Sequence, residues 1–159
     1  MRSPDKAGAA GFEHSLLIAG APTRVMAAFF DPVALTRWWN AVRSITTPRP
    51  LGLYAVEWAP STDRDDVLGR LGGVFHGTVM EYVAGRELFV GEAWWHPPDG
   101  DSIGPMSLEV SCRMDGPACR LRVHQSGFEE SVRWRRYYEV IGRGWISSLA
   151  ALKRYVEDS

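Results

Sequence analysis

Residues that could perform acid–base or nucleophilic chemistry are few in this sequence, and they are scattered along it. Each of the four histidines lies in a different segment: His14, His76, His96 and His124. The sequence has no G-x-S-x-G elbow, no phosphate-binding glycine loop and no H-E-x-x-H pair. His76 shares a strand face with Thr78, Met80 and Tyr82, and it is the histidine that we predict as a pocket residue.

Two glutamates lie next to tryptophans in segments with strand-like alternation, Glu57 and Glu92. Burial there would make a carboxyl group a proton donor, whereas a position on the solvated face of a sheet would leave it an ordinary surface charge. The second alternative is the more common one, and we predict no catalytic residue.

The two cysteines, Cys112 and Cys119, flank the turn sequence RMDGPA and are expected to lie across a hairpin from each other. We predict reduced, packed thiols, because disulfides are uncommon in the cytosol. Neither cysteine has a histidine or another cysteine at ligand spacing, so we predict no metal site and no cofactor.

Composition restricts the possible classes of protein. A chain of 159 residues is long enough for one hydrophobic core. Seven Trp, five Tyr and six Phe are many for this length, and they predict either a large aromatic core or a pocket wall. A net charge of -1 does not favour nucleic acid or an anionic membrane, and the first fifteen residues have no apolar run. We therefore predict a cytoplasmic protein.

Alternation of apolar and polar residues predicts seven strands, bounded by turn residues. The segments are 12–20, 44–47, 52–60, 73–83, 86–95, 106–114 and 119–128. Two short helices are predicted between the first two strands, the second capped by Asp31 and ending in Trp38-Trp39. The short connections after residue 44 indicate an antiparallel meander.

The last segment predicts a long amphipathic helix, because its apolar residues recur at steps of three and four. They are Trp134, Tyr138, Ile141, Trp145, Leu149, Leu152 and Val156. Glu129 and Glu130 are expected in its first turn. Gly142 falls on the apolar stripe, where a missing side chain either lets the sheet approach or leaves room for something else.

These elements predict an α+β fold in which a curved antiparallel sheet of six or seven strands wraps around the carboxy-terminal helix. Residues 1–11 are predicted to be a disordered tail, and residues 12–158 a single domain.

Three motifs in this order resemble the START-like (SRPBCC) superfamily, and within it the family homologous to the activator of heat-shock protein 90 ATPase. They are IAGAPTRVMAAFFDPVALTRWWN, GTVMEYVAGRELFVGEAWW, and VHQSGF followed by GWISSLAALKRYVE. The resemblance implies the helix-grip fold. Ala84-Gly85 replaces the family's usual proline pair, and the segment before residue 58 lacks its GG bend. The co-chaperone that names the family has a further amino-terminal domain, so chaperone activation is not carried over.

The resemblance also implies a cavity between the sheet and the long helix. Strand alternation and the helical stripe then predict its wall: Trp58, His76, Met106, Leu108, Val123, Gln125, Trp134, Tyr138, Ile141 and Trp145. The resemblance adds Trp39, which is similar to the family's inward-facing residue at the end of the second short helix. Each apolar member has plain core packing as its alternative. Gln125, if buried, needs partners, which a ligand, a water or a neighbouring side chain could supply. Adjacent strand residues point to opposite faces, so only one of Trp94 and Trp95 can reach the cavity.

We therefore predict a protein that binds a small apolar or aromatic ligand, without nucleic-acid or membrane partners. One alternative is an enzyme resembling polyketide cyclases or dehydratases, with His76, Glu92 or Tyr138 as its acid–base group. The other is a protein-interaction module, such as a homodimer formed through a strand edge or through the aromatic loop at 94–98.

Overall fold

The computed structural model describes residues 11–158, and its elements follow the periodicities of the sequence. The helices are α1 (Pro22–Ala27), α2 (Pro32–Trp39) and α3 (Val132–Glu157). The strands are β1 (Gly11–Ile18), β2 (Arg43–Thr46), β3 (Leu53–Trp58), β4 (Arg64–Asp65), β5 (Gly69–Arg70), β6 (Gly73–Val83), β7 (Glu87–His96), β8 (Ile103–Asp115) and β9 (Ala118–Ser126). All seven predicted strands and all three predicted helices are present. None of the described helices is long and apolar enough to cross a membrane.

Seven strands form one antiparallel sheet in the order β1-β9-β8-β7-β6-β3-β2. Strands β6 to β9 are neighbours both in the chain and in the sheet, because the turns between them are short. The first strand closes the other side by pairing with the last, with Leu16 opposite Leu121. The predicted antiparallel sheet with a long carboxy-terminal helix, the helix-grip fold, is confirmed.

One face of the sheet is apolar and packs on α3. In β8 and β9 every second side chain is buried, as the alternation predicted. The buried residues of α3 are Trp134, Tyr137, Tyr138, Trp145, Leu149, Leu152 and Val156. Burial of these side chains stabilises the fold, since each large apolar side chain contributes on the order of 2 kcal/mol.

Helices α1 and α2 cover one end of this core. Asp31 caps α2 by accepting a hydrogen bond from the Val33 amide, as predicted, and Asn40 ends it in the left-handed conformation (φ 59°). The buried indole of Trp38 donates to the carbonyl of Ala28 at 2.9 Å, which joins α2 to α1.

Three predictions for the ends of elements and for a loop need correction. The long helix begins at Val132 after its N-cap, Ser131, whose side chain accepts from the Trp134 amide, so Glu129 and Glu130 precede the first turn. A serine at the N-cap satisfies an unpaired helix amide more directly than a nearby carboxylate does.

Residues 61–72, predicted as a loop, contain the small β4–β5 hairpin. Strand β1 includes Gly11, and the rest of the predicted tail, residues 1–10, lies outside the described residues.

The prediction of reduced thiols is also corrected, because Cys112 and Cys119 form a disulfide. The hairpin places Cys119 opposite Met114, two residues from Cys112 on the same buried face, with the Cα atoms of the two cysteines 6.3 Å apart. The bond therefore closes the β8–β9 hairpin inside the core. The prediction relied on an expected reducing compartment, and that expectation does not decide whether this pair of cysteines is oxidised.

We expect reduction of this disulfide to lower the free energy of unfolding by about 2 kcal/mol, because a short cross-linked loop restricts the unfolded chain. Chemical denaturation with and without a reductant measures the difference. The double variant Cys112→Ala, Cys119→Ala is the control, and its stability should not respond to the reductant. Equal stability of the oxidised and reduced wild-type protein would contradict the expectation.

Candidate functional site

A partly open cavity of about 310 Å³ lies between the sheet and the first half of α3. Its lining is mostly aromatic and aliphatic, and among the described residues, 11–158, none of the side chains that line it is charged. The lining residues are Trp39, Asn40, Trp58, Ala59, Ser61, Leu68, Leu71, Gly72, Phe75, Trp95, Gln125, Tyr137, Val140, Ile141, Gly144, Trp145 and Ser148.

Five of the residues predicted from the sequence meet at this cavity: Trp39, Trp58, Gln125, Ile141 and Trp145. They come from α2, β3, β9 and α3, so the tertiary structure brings four elements together. Trp39 lies at the centre of the aromatic group, with its ring centroid 5.2 Å from that of Trp58 and 4.9 Å from that of Trp145. The side chains of α2 thus divide their roles, with Trp38 in the core and Trp39 at the cavity.

The other six predicted residues lie elsewhere. Met106, Leu108 and Val123 are buried in the core beside the cavity, since α3 packs directly against this part of the sheet. Trp134 packs on Tyr138 and Phe128.

His76 lies on the opposite face of the sheet. Its neighbours Phe75 and Gly77 are the buried residues of that stretch of β6, and alternation along the strand therefore turns His76 outward.

A β-bulge decides which tryptophan of the second pair faces the cavity. Leu88 and Val90 point into the core, and a regular strand would continue with Trp94. The pairing of β7 with β8 shifts between Val90 and Ala93, where Glu92 has φ 48°. The extra residue reverses the alternation. Trp95 therefore lines the cavity, while Trp94 packs on Gly104.

Sequence reasoning left Trp95 as one of two alternatives, and it missed several lining residues, of which Tyr137 is the largest. Tyr137 did have a signal, because it precedes Ile141 by four positions and Trp145 by eight, on the same helical stripe. Leu68 and Leu71 had none, since they reach the cavity only through the folding of a surface segment.

The two glycines of α3 have different roles. A Cβ atom at Gly142 would lie 3.4 Å from the ring of Phe12, which is an ordinary contact distance, so this glycine lies against β1. A Cβ atom at Gly144 would meet no atom within 4 Å, and Gly144 lines the cavity. Gly142 therefore faces the sheet, and Gly144 faces open space.

The amide of Gln125 is the central polar group of the cavity wall. The residue is 1% exposed. Its Oε1 accepts from the Trp145 indole at 2.8 Å, and its Nε2 donates to the Tyr137 hydroxyl at 2.8 Å and to the Met106 sulfur at 3.3 Å. Neighbouring side chains, one of the three predicted sources of partners, therefore satisfy this amide.

Two other indoles of the cavity wall are held by hydrogen bonds to main-chain carbonyls. Trp58 donates to the carbonyl of Trp39, and Trp95 to the carbonyl of Gly72, each at 2.8 Å. Such bonds fix the ring planes, so the aromatic wall of the cavity is preorganised.

A segment that we call the strap, residues 61–72, lies along the cavity and contributes Leu68 and Leu71 to its lining. One carboxylate, Asp65, organises it. Asp65 accepts from the backbone amides of Val67 and Leu68 and pairs with the guanidinium of Arg136 on α3 at 2.6 Å. The Arg136 hydrogen bonds lower the pKa of Asp65 to about 2, so the carboxylate is ionised at neutral pH.

The three residues considered for an enzyme lie outside the cavity lining. Glu92 is exposed, and His76 pairs with His96, with the two Nε2 atoms 2.7 Å apart. Tyr138 donates its hydroxyl to the carbonyl of Gly127 at 2.7 Å. Glu57, the other carboxyl group of the sequence analysis, pairs with Arg43.

Solved structures with the same fold support this description. The chain is similar to the AHSA1 protein SPO3351 of Silicibacter pomeroyi, with 16% identity, a TM-score of 0.67, and coverage of 93% of this chain and 98% of that one. It is also similar to the Aha1 dimer of Colwellia psychrerythraea, with 14% identity, a TM-score of 0.65, and coverage of 92% and 96%.

A third neighbour is DynU16, a protein of the dynemicin biosynthetic locus, with 16% identity, a TM-score of 0.65, and coverage of 92% of this chain and 47% of that one. No protein-family model and no curated protein matches the sequence. The similarity establishes the helix-grip, START-like fold.

We expect the variant Asp65→Ala to loosen the strap without unfolding the protein. Hydrogen–deuterium exchange at the Leu68 amide should accelerate roughly tenfold, because this amide loses its acceptor and the strap loses its link to Arg136. The neighbouring variant Asp66→Ala is the control and should leave the exchange rate of Leu68 unchanged. Equal exchange in the two variants would refute this role for Asp65.

Acidification should destabilise the protein through His96. Burial, and then the charge of His76, lower the pKa of His96 below its ordinary value of 6.5. The unfolded chain therefore takes up the proton more readily, and stability that is complete above about pH 6.5 is lost as the pH falls below it. Denaturation at pH 7.5 and pH 5.5 measures the loss.

The variant His96→Asn should lose less stability than the wild type over this range of pH, whereas the control His14→Gln should behave like the wild type. An unchanged pH dependence in His96→Asn would show that another group is responsible.

Proposed function

We propose that this protein binds a small, neutral, apolar or aromatic molecule in the cavity between the sheet and α3. The observation that carries the proposal is the lining, in which four tryptophans converge without a charged side chain: Trp39, Trp58, Trp95 and Trp145. Their ring planes are fixed by packing and, for three of them, by hydrogen bonds. A preformed apolar wall binds a ligand without the cost of ordering side chains.

The size of the cavity supports a ligand of two fused rings or a similar volume. An engineered apolar cavity of about 150 Å³ is enough for benzene, and this one has about 310 Å³. Affinity would come from apolar burial, at about 25 cal/mol per Å² of surface removed from water.

The fold supports the same proposal at the level of the family. We propose that the chain belongs to the START-like proteins related to the activator of heat-shock protein 90 ATPase, as its motifs suggest, and that residues 12–158 form one domain acting in the cytoplasm. An enzyme of the cyclase type receives less support, because no carboxylate or imidazole lines the cavity.

A second candidate is self-association through the edge strand β2. Ile45 is 63% exposed there, and the adjacent Val42 is 53% exposed. An apolar edge with unpaired backbone groups favours strand pairing with a second copy, and one structural neighbour is described as a dimer.

Filling the cavity tests the principal proposal. The variant Gly144→Phe places a ring in the open space at this position and removes a helix-weakening glycine, so the fold should be at least as stable as the wild type. We expect wild-type protein to bind 2-acetylnaphthalene and Gly144→Phe to bind it at least tenfold more weakly. Isothermal titration measures both dissociation constants.

The matched control is Ser147→Phe, which adds the same ring at an exposed position on α3 that does not line the cavity. Its affinity should equal that of the wild type. Absence of binding to the wild type would overturn the proposal, and equal binding to both variants would place the bound molecule outside the cavity.

A further inference from the structure

The hydrogen bonds around Gln125 determine the direction of a proton at the cavity wall. The indole of Trp145 is a donor only, so the oxygen of the Gln125 amide must face it. The amide nitrogen then faces Tyr137 and donates to its hydroxyl oxygen. That oxygen is the acceptor in this bond, and the hydroxyl proton of Tyr137 must point elsewhere.

No side chain or carbonyl among residues 11–158 accepts a hydrogen bond from this hydroxyl. The other two tyrosines buried in the core do donate to main-chain carbonyls, Tyr54 to Phe29 and Tyr138 to Gly127, each at 2.7 Å. Tyr137 is only 2% exposed and lines the cavity. A buried phenol normally has an acceptor for its proton, so the absence of one among residues 11–158 points to an acceptor that is not part of this domain.

The hydroxyl also keeps its proton under all ordinary conditions, because burial raises the pKa of Tyr137. It therefore acts as a donor and not as a base. Since no positively charged side chain of the described residues lines the cavity, a ligand carboxylate would be buried there without a partner, which is costly. A neutral oxygen, such as the carbonyl of a ketone or ester, satisfies the phenol without this cost.

We propose that the ligand of this cavity carries a neutral acceptor oxygen of the carbonyl type, which accepts a hydrogen bond from the Tyr137 hydroxyl. The inference rests on the proposed function and adds the polar feature that orients the molecule. In this arrangement Trp145 and Gln125 are positioning residues, since they act on the ligand by setting the direction of the Tyr137 proton.

Two probes of nearly equal shape separate this inference from binding in general. 2-Acetylnaphthalene carries a carbonyl oxygen, and 2-isopropenylnaphthalene has a methylene group in its place. Isothermal titration measures the dissociation constant of each probe, and the ratio of the two constants gives the preference of the protein. We expect wild-type protein to prefer the ketone over the alkene.

The variant Tyr137→Phe removes the hydroxyl and keeps the ring. It should weaken ketone binding roughly three- to tenfold, the range for a single net hydrogen bond, and change alkene binding less than twofold. Tyr138→Phe is the matched control, because its hydroxyl is already bound to Gly127, and it should leave both constants unchanged.

The variant Trp145→Phe gives a second test. Without the indole donor the Gln125 amide can turn over, and the orientation of the Tyr137 hydroxyl proton is no longer fixed. The preference for the ketone should fall even if both affinities change with cavity shape. Equal affinities of the wild type for the ketone and the alkene would overturn the inference and leave the proposed function standing. Equal losses of affinity for the two probes in Tyr137→Phe would do the same. Failure of both probes to bind would overturn the proposed function and the inference with it.

Discussion

The buried amide of Gln125 is the constraint on which the site depends. An amide in an apolar core has to be hydrogen-bonded at both ends, because each unsatisfied group would cost about 1–3 kcal/mol. Its partners, Trp145 and Tyr137, both lie on α3, whereas Gln125 itself lies on β9. The need to satisfy this amide therefore fixes the distance between β9 and α3 and the rotation of the helix about its own axis. The two large side chains that satisfy the amide, Trp145 and Tyr137, also line the cavity.

The long helix accordingly packs in two different ways along its length. Towards its carboxyl end, Leu149, Leu152 and Val156 are almost fully buried in the core. The first half carries the aromatic wall, a glycine that faces open space, and Arg136, which holds the strap through Asp65. Tight packing at one end supplies stability, and the looser, preorganised end lines the cavity. The division explains why apolar residues on a single stripe have two different roles.

Much of the fold could be predicted from local patterns, but only part of the site. Alternation and helical spacing identified all seven main strands and α3. Together with the family resemblance, they selected five residues that line the cavity: Trp39, Trp58, Gln125, Ile141 and Trp145. Periodicity indicates which face of an element is buried and not what covers it. Met106, Leu108 and Val123 were for this reason indistinguishable from cavity residues, although they pack in the core. His76 was assigned to the wrong face of the sheet. No residue of its strand was known from the sequence to be buried, so the inward face of that strand was not determined.

The sequence by itself determined the order of elements, the apolar faces and the aromatic character of the cavity wall, since these follow from residue type and spacing. Only the tertiary structure decided that Trp95 and not Trp94 faces the cavity, because a bulge at Glu92 reverses the alternation within one strand. It also decided the disulfide, the strap held by Asp65, and the direction of the Tyr137 proton. Each of these depends on contacts between residues distant in the chain, whose geometry no local pattern specifies.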